Sequence, residues 1–318
     1  MSFTGTGILR AATYVALLLS LPEAAARAAE RAALRYRPLH IENVDVFVRE
    51  AGAPSAPAIL LLHGNPSSSH MFRDVIPDLA RRFHVIAPDY PGFGYSSAPP
   101  PRHFKYTFDH YATIVREVLA KLGVHRFGLV MQDYGVPVGF RLAAGAPGEV
   151  SFLVVQNGQI CHAVHEAKTW LDPFWERRDP AAEARLRRSY VLKATKLYYS
   201  LGAHDTSRIS PDAWTIDQFQ MDQPGSKDAR TEITYDYPSN FRRYAAWQAY
   251  LRKYRPPTLV IWGKGDPLFT VDQSRCYAAN NPRNSTTKYF EGGHFMLEEH
   301  AHEAALDILE FTARLYLD

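Results

Sequence analysis

Three residues in this chain have the types and positions needed for nucleophilic catalysis. Asp133 stands in Leu129-Val130-Met131-Gln132-Asp133-Tyr134-Gly135, where an apolar run ends and a helical pattern begins. A sharp strand-to-helix turn there presents one side chain above a sheet, and a small residue two positions later lets the backbone pass closely. Gly135 meets that need, whereas Met131 is bulkier than the usual residue two positions before. No G-x-S-x-G occurs, so a serine nucleophile is missing. The structural alternative for Asp133 is a helix N-cap.

His294 lies in Phe290-Glu291-Gly292-Gly293-His294-Phe295-Met296, directly after the last apolar run. The two glycines give that loop the freedom to turn an imidazole inward. Asp266 lies in Trp262-Gly263-Lys264-Gly265-Asp266-Pro267. A carboxylate there can fix the imidazole tautomer and stabilise an imidazolium, or it can simply form an Asp-Pro turn. Asn157 occupies the competing acid position after the preceding run, but an amide cannot supply the charge. The chain order is thus nucleophile, acid, histidine. A fourth element is His63-Gly64-Asn65-Pro66. The backbone N–H groups of Asn65 and Tyr134 are candidates for an oxyanion hole, with the Asn65 amide as a further donor. His63 reads as a structural hydrogen-bonder.

These residues need strand ends to hold them. Ala58 to Leu62, His84 to Pro88, Phe127 to Met131, Phe152 to Gln156, Thr258 to Trp262 and Thr286 to Phe290 are short apolar runs. Several are continuous rather than alternating, as buried parallel strands are. Val44 to Arg49 reads as an edge strand. Helical patterns fall at 70–80, 109–122, 135–146, 271–279 and 300–316. The alternation predicts an α/β fold with a doubly wound, mostly parallel sheet. It breaks between about 160 and 250, where helical stretches rich in Arg, Trp and Tyr suggest an inserted lid above the carboxyl ends of the strands.

The 318 residues are 46% hydrophobic and 13% aromatic, with a net charge of +3. That balance excludes disorder and a transmembrane bundle, and it lacks the concentrated basic face of a nucleic-acid binder. The doublets Arg177-Arg178, Arg187-Arg188 and Arg242-Arg243 are dispersed and read as solvated faces. Cys161 and Cys276 are far apart in sequence and indicate neither redox chemistry nor a disulfide. The cluster Cys161-His162-x-x-His165-Glu166 invites a metal reading, but nothing later in the chain completes a ligand set. At the N-terminus, Arg10 precedes the apolar run Ala11 to Leu21, with Ala26-Arg27-Ala28 as a candidate cleavage site. Residues 1–34 therefore read either as a signal peptide, implying a periplasmic or secreted protein, or as an N-terminal extension of a cytoplasmic one. The run is too short to span a bilayer.

In this order, the motifs resemble the α/β-hydrolase fold, and within it the branch with an aspartate nucleophile. Ala87-Pro88-Asp89-Tyr90-Pro91-Gly92-Phe93-Gly94-Tyr95-Ser96 is similar to that family's loop after its fourth strand. The resemblance covers about residues 36–318. It implies a core of residues 35–160 and 251–318, and a helical cap of residues 161–250 inserted after the sixth strand. It also implies an alkyl ester on Asp133, hydrolysed by water that His294 activates. A carboxylate that attacks an sp³ carbon suits haloalkanes and epoxides. Haloalkane dehalogenases typically pair an Asn after His-Gly with a Trp indole, so Asn65 favours a halide. Tyr134 departs from that pattern, and a cap tryptophan (Trp170, Trp175 or Trp214) would have to replace the donor. Epoxide hydrolases use cap tyrosines, and Tyr190, Tyr198, Tyr199, Tyr235 and Tyr237 are available. The leading expectation is carbon–halogen hydrolysis, with epoxide hydrolysis second and a non-catalytic small-molecule receptor third. No cofactor or metal is implied, and the expected partners are a small apolar substrate and water. Oligomeric state is not legible.

Overall fold

A strand covered on both faces needs no polar side, so continuous apolar runs gather in the middle of a sheet. The computed structural model describes residues 33–162 and 169–315. Its strands are β1 (Arg35–Ile41), β2 (Val44–Ala51), β3 (Ala58–Leu62), β4 (His84–Pro88), β5 (Phe127–Gln132), β6 (Val150–Gln156), β7 (Thr258–Gly263) and β8 (Ser285–Phe290). They form one sheet in the order β1-β2-β4-β3-β5-β6-β7-β8. β2 runs antiparallel to β1 and β4, and the remaining pairs are parallel. Every residue of β3, β4, β5 and β7 is buried.

The expected edge strand at Val44 is not at the edge. β1 covers it, pairing Pro38 with Phe47. β1 is mostly exposed and contains a proline, so it carries neither an apolar run nor a clean alternation. Proline is tolerated on such a strand because an edge amide need not donate to the ladder.

The helices of the sheet layers are α1 (Ile76–Leu79), α2 (Phe108–Lys121) and α3 (Gly135–Gly145). Between β6 and β7 come α4 (Asp172–Arg177), α5 (Pro180–Arg188), α6 (Leu192–Ser200), α7 (Pro211–Met221), α8 (Ser226–Asp236) and α9 (Tyr244–Tyr254). α10 (Val271–Asn280) and α11 (Leu297–Ala313) complete the fold. The helix expected over 70–80 is split into a 3-10 turn at Ser69–Phe72 and the short α1. Pro77 lacks the amide that would continue a helix from the preceding turn.

Alternate residues of each strand feed two apolar layers. Leu60, Leu62, Leu129 and Met131 pack with residues of α2 and α3 on one face. Ile59, Leu61 and Val130 pack with residues of α1 and α11 on the other. The inserted helices have a smaller cluster of their own, built on Phe174, Leu186, Tyr190 and Met221. α9 packs on α3 and α10, and its Trp247 and Leu251 join the main core. The sequence boundary at residue 250 thus falls inside a helix of the core layer.

One reading from sequence is corrected. Cys161, just beyond β6, is paired with Cys276 of α10 as a disulfide, with Cα atoms 6.5 Å apart across 115 residues. Sequence distance hid the pair because adjacent parallel strands deliver β6 and the helix after β7 to the same corner. With Cys161 taken, the metal reading loses a thiolate. His165 and Glu166 lie outside the described residues, as does the N-terminal run through Ala28. Among the described residues no helix is long and apolar enough to cross a membrane.

Candidate active site

β3 sits between β4 and β5, so chain direction across the sheet reverses there and the loops after β3 and β5 diverge around a crevice. Leu62 pairs with Met131, which brings the Asn65 and Asp133 loops side by side. Asp133 takes φ +47°, a left-handed conformation that costs a non-glycine residue about 1–3 kcal/mol. The surroundings enforce it. A Cβ on Gly135 would lie 2.1 Å from the Leu62 carbonyl oxygen, so only glycine lets α3 start this close to β3. The bulky Met131 is accommodated by Gly139 of α3, where a Cβ would meet its sulfur at 2.2 Å. Asp133 does not cap α3, whose N-cap is Tyr134.

The three sequence candidates converge. His294 Nδ1 is 2.8 Å from Asp266 Oδ2, and His294 Nε2 is 4.0 Å from Asp133 Oδ2. Asp266 also accepts from the Leu268 and Phe269 amides at 2.8 and 3.2 Å. Asp133 Oδ1 accepts the Asn65 backbone N–H at 2.7 Å, and the Tyr134 N–H also bonds this carboxylate. Both expected oxyanion donors therefore face the carboxylate. The glycines before His294 do a different job from the one their type suggests. Neither takes a positive φ. Gly293 supplies room, since a Cβ there would sit 2.2 Å from the Leu201 carbonyl oxygen.

Burial raises the Asp133 carboxyl above its ordinary range, while His294 and the Asn65 and Tyr134 amides pull the other way. For His294, burial lowers the pKa, but the charge and hydrogen bond of Asp266 and the charge of Asp133 outweigh it, and the net shift is upward. His63 is equally buried and is pushed down to about 3, by desolvation and by the charge of Arg230, although its bond to the Gly64 carbonyl opposes this. His63 bonds that carbonyl through Nδ1 and accepts the Tyr90 amide at Nε2.

Sequence reasoning overlooked two supporting groups. Asn157, set aside for lack of charge, donates Nδ2–H to Asp266 Oδ2 at 2.8 Å and accepts the Gly263 amide at 2.9 Å. Gln132, adjacent to Asp133, places Nε2 2.8 Å from His294 Nε2. With Nδ1–H given to Asp266, His294 Nε2 carries the lone pair and accepts this bond, so any other proton donor to that nitrogen must displace the amide. The available signal was a polar residue at the end of an apolar strand for Gln132, and directly after one for Asn157.

A cavity of about 570 Å³ opens above Asp133, with Asn65 and Tyr134 in its wall. Of the cap tryptophans only Trp175 lines it, and its indole N–H is already given to the Thr234 carbonyl at 2.9 Å. Trp170 lies under Arg185 and Trp214 packs on Tyr199, so neither contributes to the wall. Of the cap tyrosines, Tyr198 and Tyr237 line the cavity. Tyr199 is bound to Asp217, Tyr190 to Thr231, and Tyr235 packs on Phe174. Burial, with the Asp133 charge behind it, pushes the Tyr198 phenol up to about 12, so it keeps its proton at neutral pH.

A pair of oxyanion donors around a buried carboxylate, with a histidine–aspartate pair beside it, equips the site for covalent hydrolysis. Comparison with known proteins places the chain among hydrolases. Residues 57–301 match the alpha/beta hydrolase fold family. An uncharacterized hydrolase of Saccharomyces cerevisiae is 35% identical over 285 residues, covering 88% of this chain and 97% of its own length. A haloalkane dehalogenase of Mycobacterium marinum is 31% identical over 230 residues, covering 69% and 72% respectively. Among solved structures, the epoxide hydrolase CorEH superposes with a TM-score of 0.74 at 22% identity, covering 89% of this chain and all of that one. The chain is a hydrolase, and it belongs to the alpha/beta hydrolase fold family, in its dehalogenase-like branch.

Proposed function

We propose that this hydrolase opens small apolar epoxides through an alkyl ester on Asp133. The observation that carries the choice is the donor inventory of the cavity. Tyr198 offers a protonated phenol to a developing alkoxide, whereas the cap indole in the wall is already committed to Thr234. Asp133 Oδ1 lies in the amide pocket of Asn65, which leaves Oδ2 to attack the ring carbon. The C–O bond breaks, and the alkoxide takes the Tyr198 proton. His294 then removes a proton from water, and hydroxide adds to the ester carbon. The oxyanion forms on Oδ1 between the Asn65 and Tyr134 amides. Collapse releases a diol and regenerates the carboxylate, while the imidazolium returns its proton to the tyrosinate. Tyr237, the second phenol in the wall, assists at the same oxygen.

Carbon–halogen hydrolysis is the second reading, favoured by the Asn65 amide in the cavity wall. It uses the same ester and replaces the alkoxide by a halide held on N–H donors. Terminal epoxides and bromoalkanes offered in weak buffer separate the two, with diol, bromide and acid followed together. Diol formation by the wild type and none by Asp133→Ala is the expected result. Bromide and acid without diol would transfer the assignment to haloalkanes. Binding of either class with no turnover would leave a receptor. Multiple turnovers in ¹⁸O-water should also place label in the Asp133 carboxylate.

A further inference from the structure

Arg230 lies on α8, in the cap, and is 1% exposed. It lies outside the wall of the cavity and does not touch the triad. Its Nη1 donates to the Asn65 side-chain oxygen at 3.2 Å and to the Pro66 carbonyl at 2.8 Å. The guanidinium stands 4.1 Å over the Phe93 ring, and Nε meets Ser226 Oγ at 3.3 Å. Nη2 is buried with no hydrogen-bond partner among the described residues, and the charge of Asp217 acts on the guanidinium without an ion pair between them. Burying a cation on such terms is expensive. Such an expense fits a residue held for more than packing.

A guanidinium has N–H donors and no acceptor, so the atom of Asn65 that meets it must be the amide oxygen. That settles which way the amide faces: Nδ2 is turned away from Arg230. The same cation polarises the Asn65 carbonyl, which strengthens its N–H groups as donors. Its second bond, to Pro66, holds the following residue as well. The Asn65 backbone N–H, 2.7 Å from Asp133 Oδ1, is thereby fixed from the cap side.

We propose that Arg230 is a positioning residue of the cap that sets the orientation of both Asn65 donors, so that the oxyanion pocket is complete only while the cap is seated on the core. The inference rests on the Asp133 ester, which the epoxide and halide readings share, and not on the choice between them.

The test uses the full chain with Arg230→Met and Arg230→Lys. The first readout needs no substrate: the side-chain NH₂ resonances of Asn65 in ¹⁵N-labelled protein, identified by their loss in Asn65→Asp. Arg230→Met should displace or broaden them while the NH₂ pair of Asn157 stays put, and Arg230→Lys should fall between. The second readout is turnover of whichever substrate the wild type accepts. Arg230→Met should lower kcat about 10- to 100-fold, the scale of a displaced reacting geometry. It should also combine less than additively with Asn65→Ala. Unmoved Asn65 resonances, or losses that add fully, would overturn the proposal. If Arg230→Met fails to fold, Arg230→Lys decides, because it keeps the charge and loses the planar fork. If the wild type hydrolyses neither substrate class, the resonances still judge Arg230, and only the function above fails.

Discussion

The floor and the roof of the cavity are built differently. The floor comes from strand ends. Asp266 alone gathers the Leu268 and Phe269 amides, the Asn157 amide and the His294 imidazole. The roof comes from cap helices held by a small apolar cluster of their own, by side chains such as Ile233 and Tyr199 that join the main core, and by partly exposed ion pairs, such as Arg178 with Glu232 and Arg187 with Asp228. Asp133 and Asp266 are each held by backbone amides and His294 by two side chains of the same floor, whereas roof groups such as Tyr198 stand on helix faces. On the proposed mechanism the reaction type belongs to the core, and the leaving group and substrate shape belong to the cap. Two histidines show how far local partners govern the floor. His63 and His294 are both fully buried, yet the first is driven down and the second up. The difference is a carboxylate on Nδ1 for His294 against a backbone carbonyl for His63.

The division can be broken most severely at Asp266. Asp266→Asn should reduce kcat about 10³- to 10⁴-fold, by allowing the wrong tautomer and removing the imidazolium's partner. The same change removes the charge that raises His294, so the pKa seen in any remaining activity should fall. A loss under tenfold in steady-state turnover would show that Asn157 can carry the imidazole unaided.

Tyr198→Phe sharpens the comparison from the roof. Losing a general acid costs about 10²- to 10⁴-fold, and that loss should appear in epoxide opening. Bromide release by the same variant, if the wild type shows any, should stay within a few-fold. Equal losses on both substrates would mean that the cap phenol serves the core chemistry, and the division fails.

The pH dependence follows from the floor alone. His294 must be neutral to take a proton from water, and in the free enzyme Asp266 and Asp133 raise its pKa against desolvation. Once Asp133 is an ester its charge is gone and Asp266 alone opposes desolvation, so kcat should rise with pH through a midpoint below the His294 pKa of the free enzyme, read by NMR. A midpoint at or above the free-enzyme pKa would contradict the ester. The smallest effect is expected on the outer surface of the cap. Arg177→Ala removes only exposed pairs, from a side chain 61% accessible, and should leave unfolding and turnover nearly unchanged. A substantial drop in the thermal midpoint would mean that the cap is held together by its surface charges.

Legibility in the sequence followed the strength of the local signal. The buried strands were plain because continuous apolar runs have little other use in a chain of this composition. β1 was not, since Pro38 and its exposed side chains erase the periodicity. Asp133, Asp266 and His294 stood out because each follows an apolar run and sits among glycines or a proline. Gln132 also ends such a run and Asn157 directly follows one, but an amide proclaims no chemistry until its partner is known. Arg230 gave no signal at all. It is one arginine among many on a polar helix, and only its burial against Asn65 distinguishes it.

What the sequence determined by itself was the buried strands and the chain order of Asp133, Asp266 and His294 at their ends, because strand burial and turn chemistry are local. The tertiary structure alone decided which cap residues face the cavity, and it chose Tyr198 and Tyr237 over two of the three tryptophans. It also paired Cys161 with Cys276 and turned the Asn65 amide toward Arg230. These outcomes depend on how the cap helices settle on the core, and no periodicity within either part records that contact.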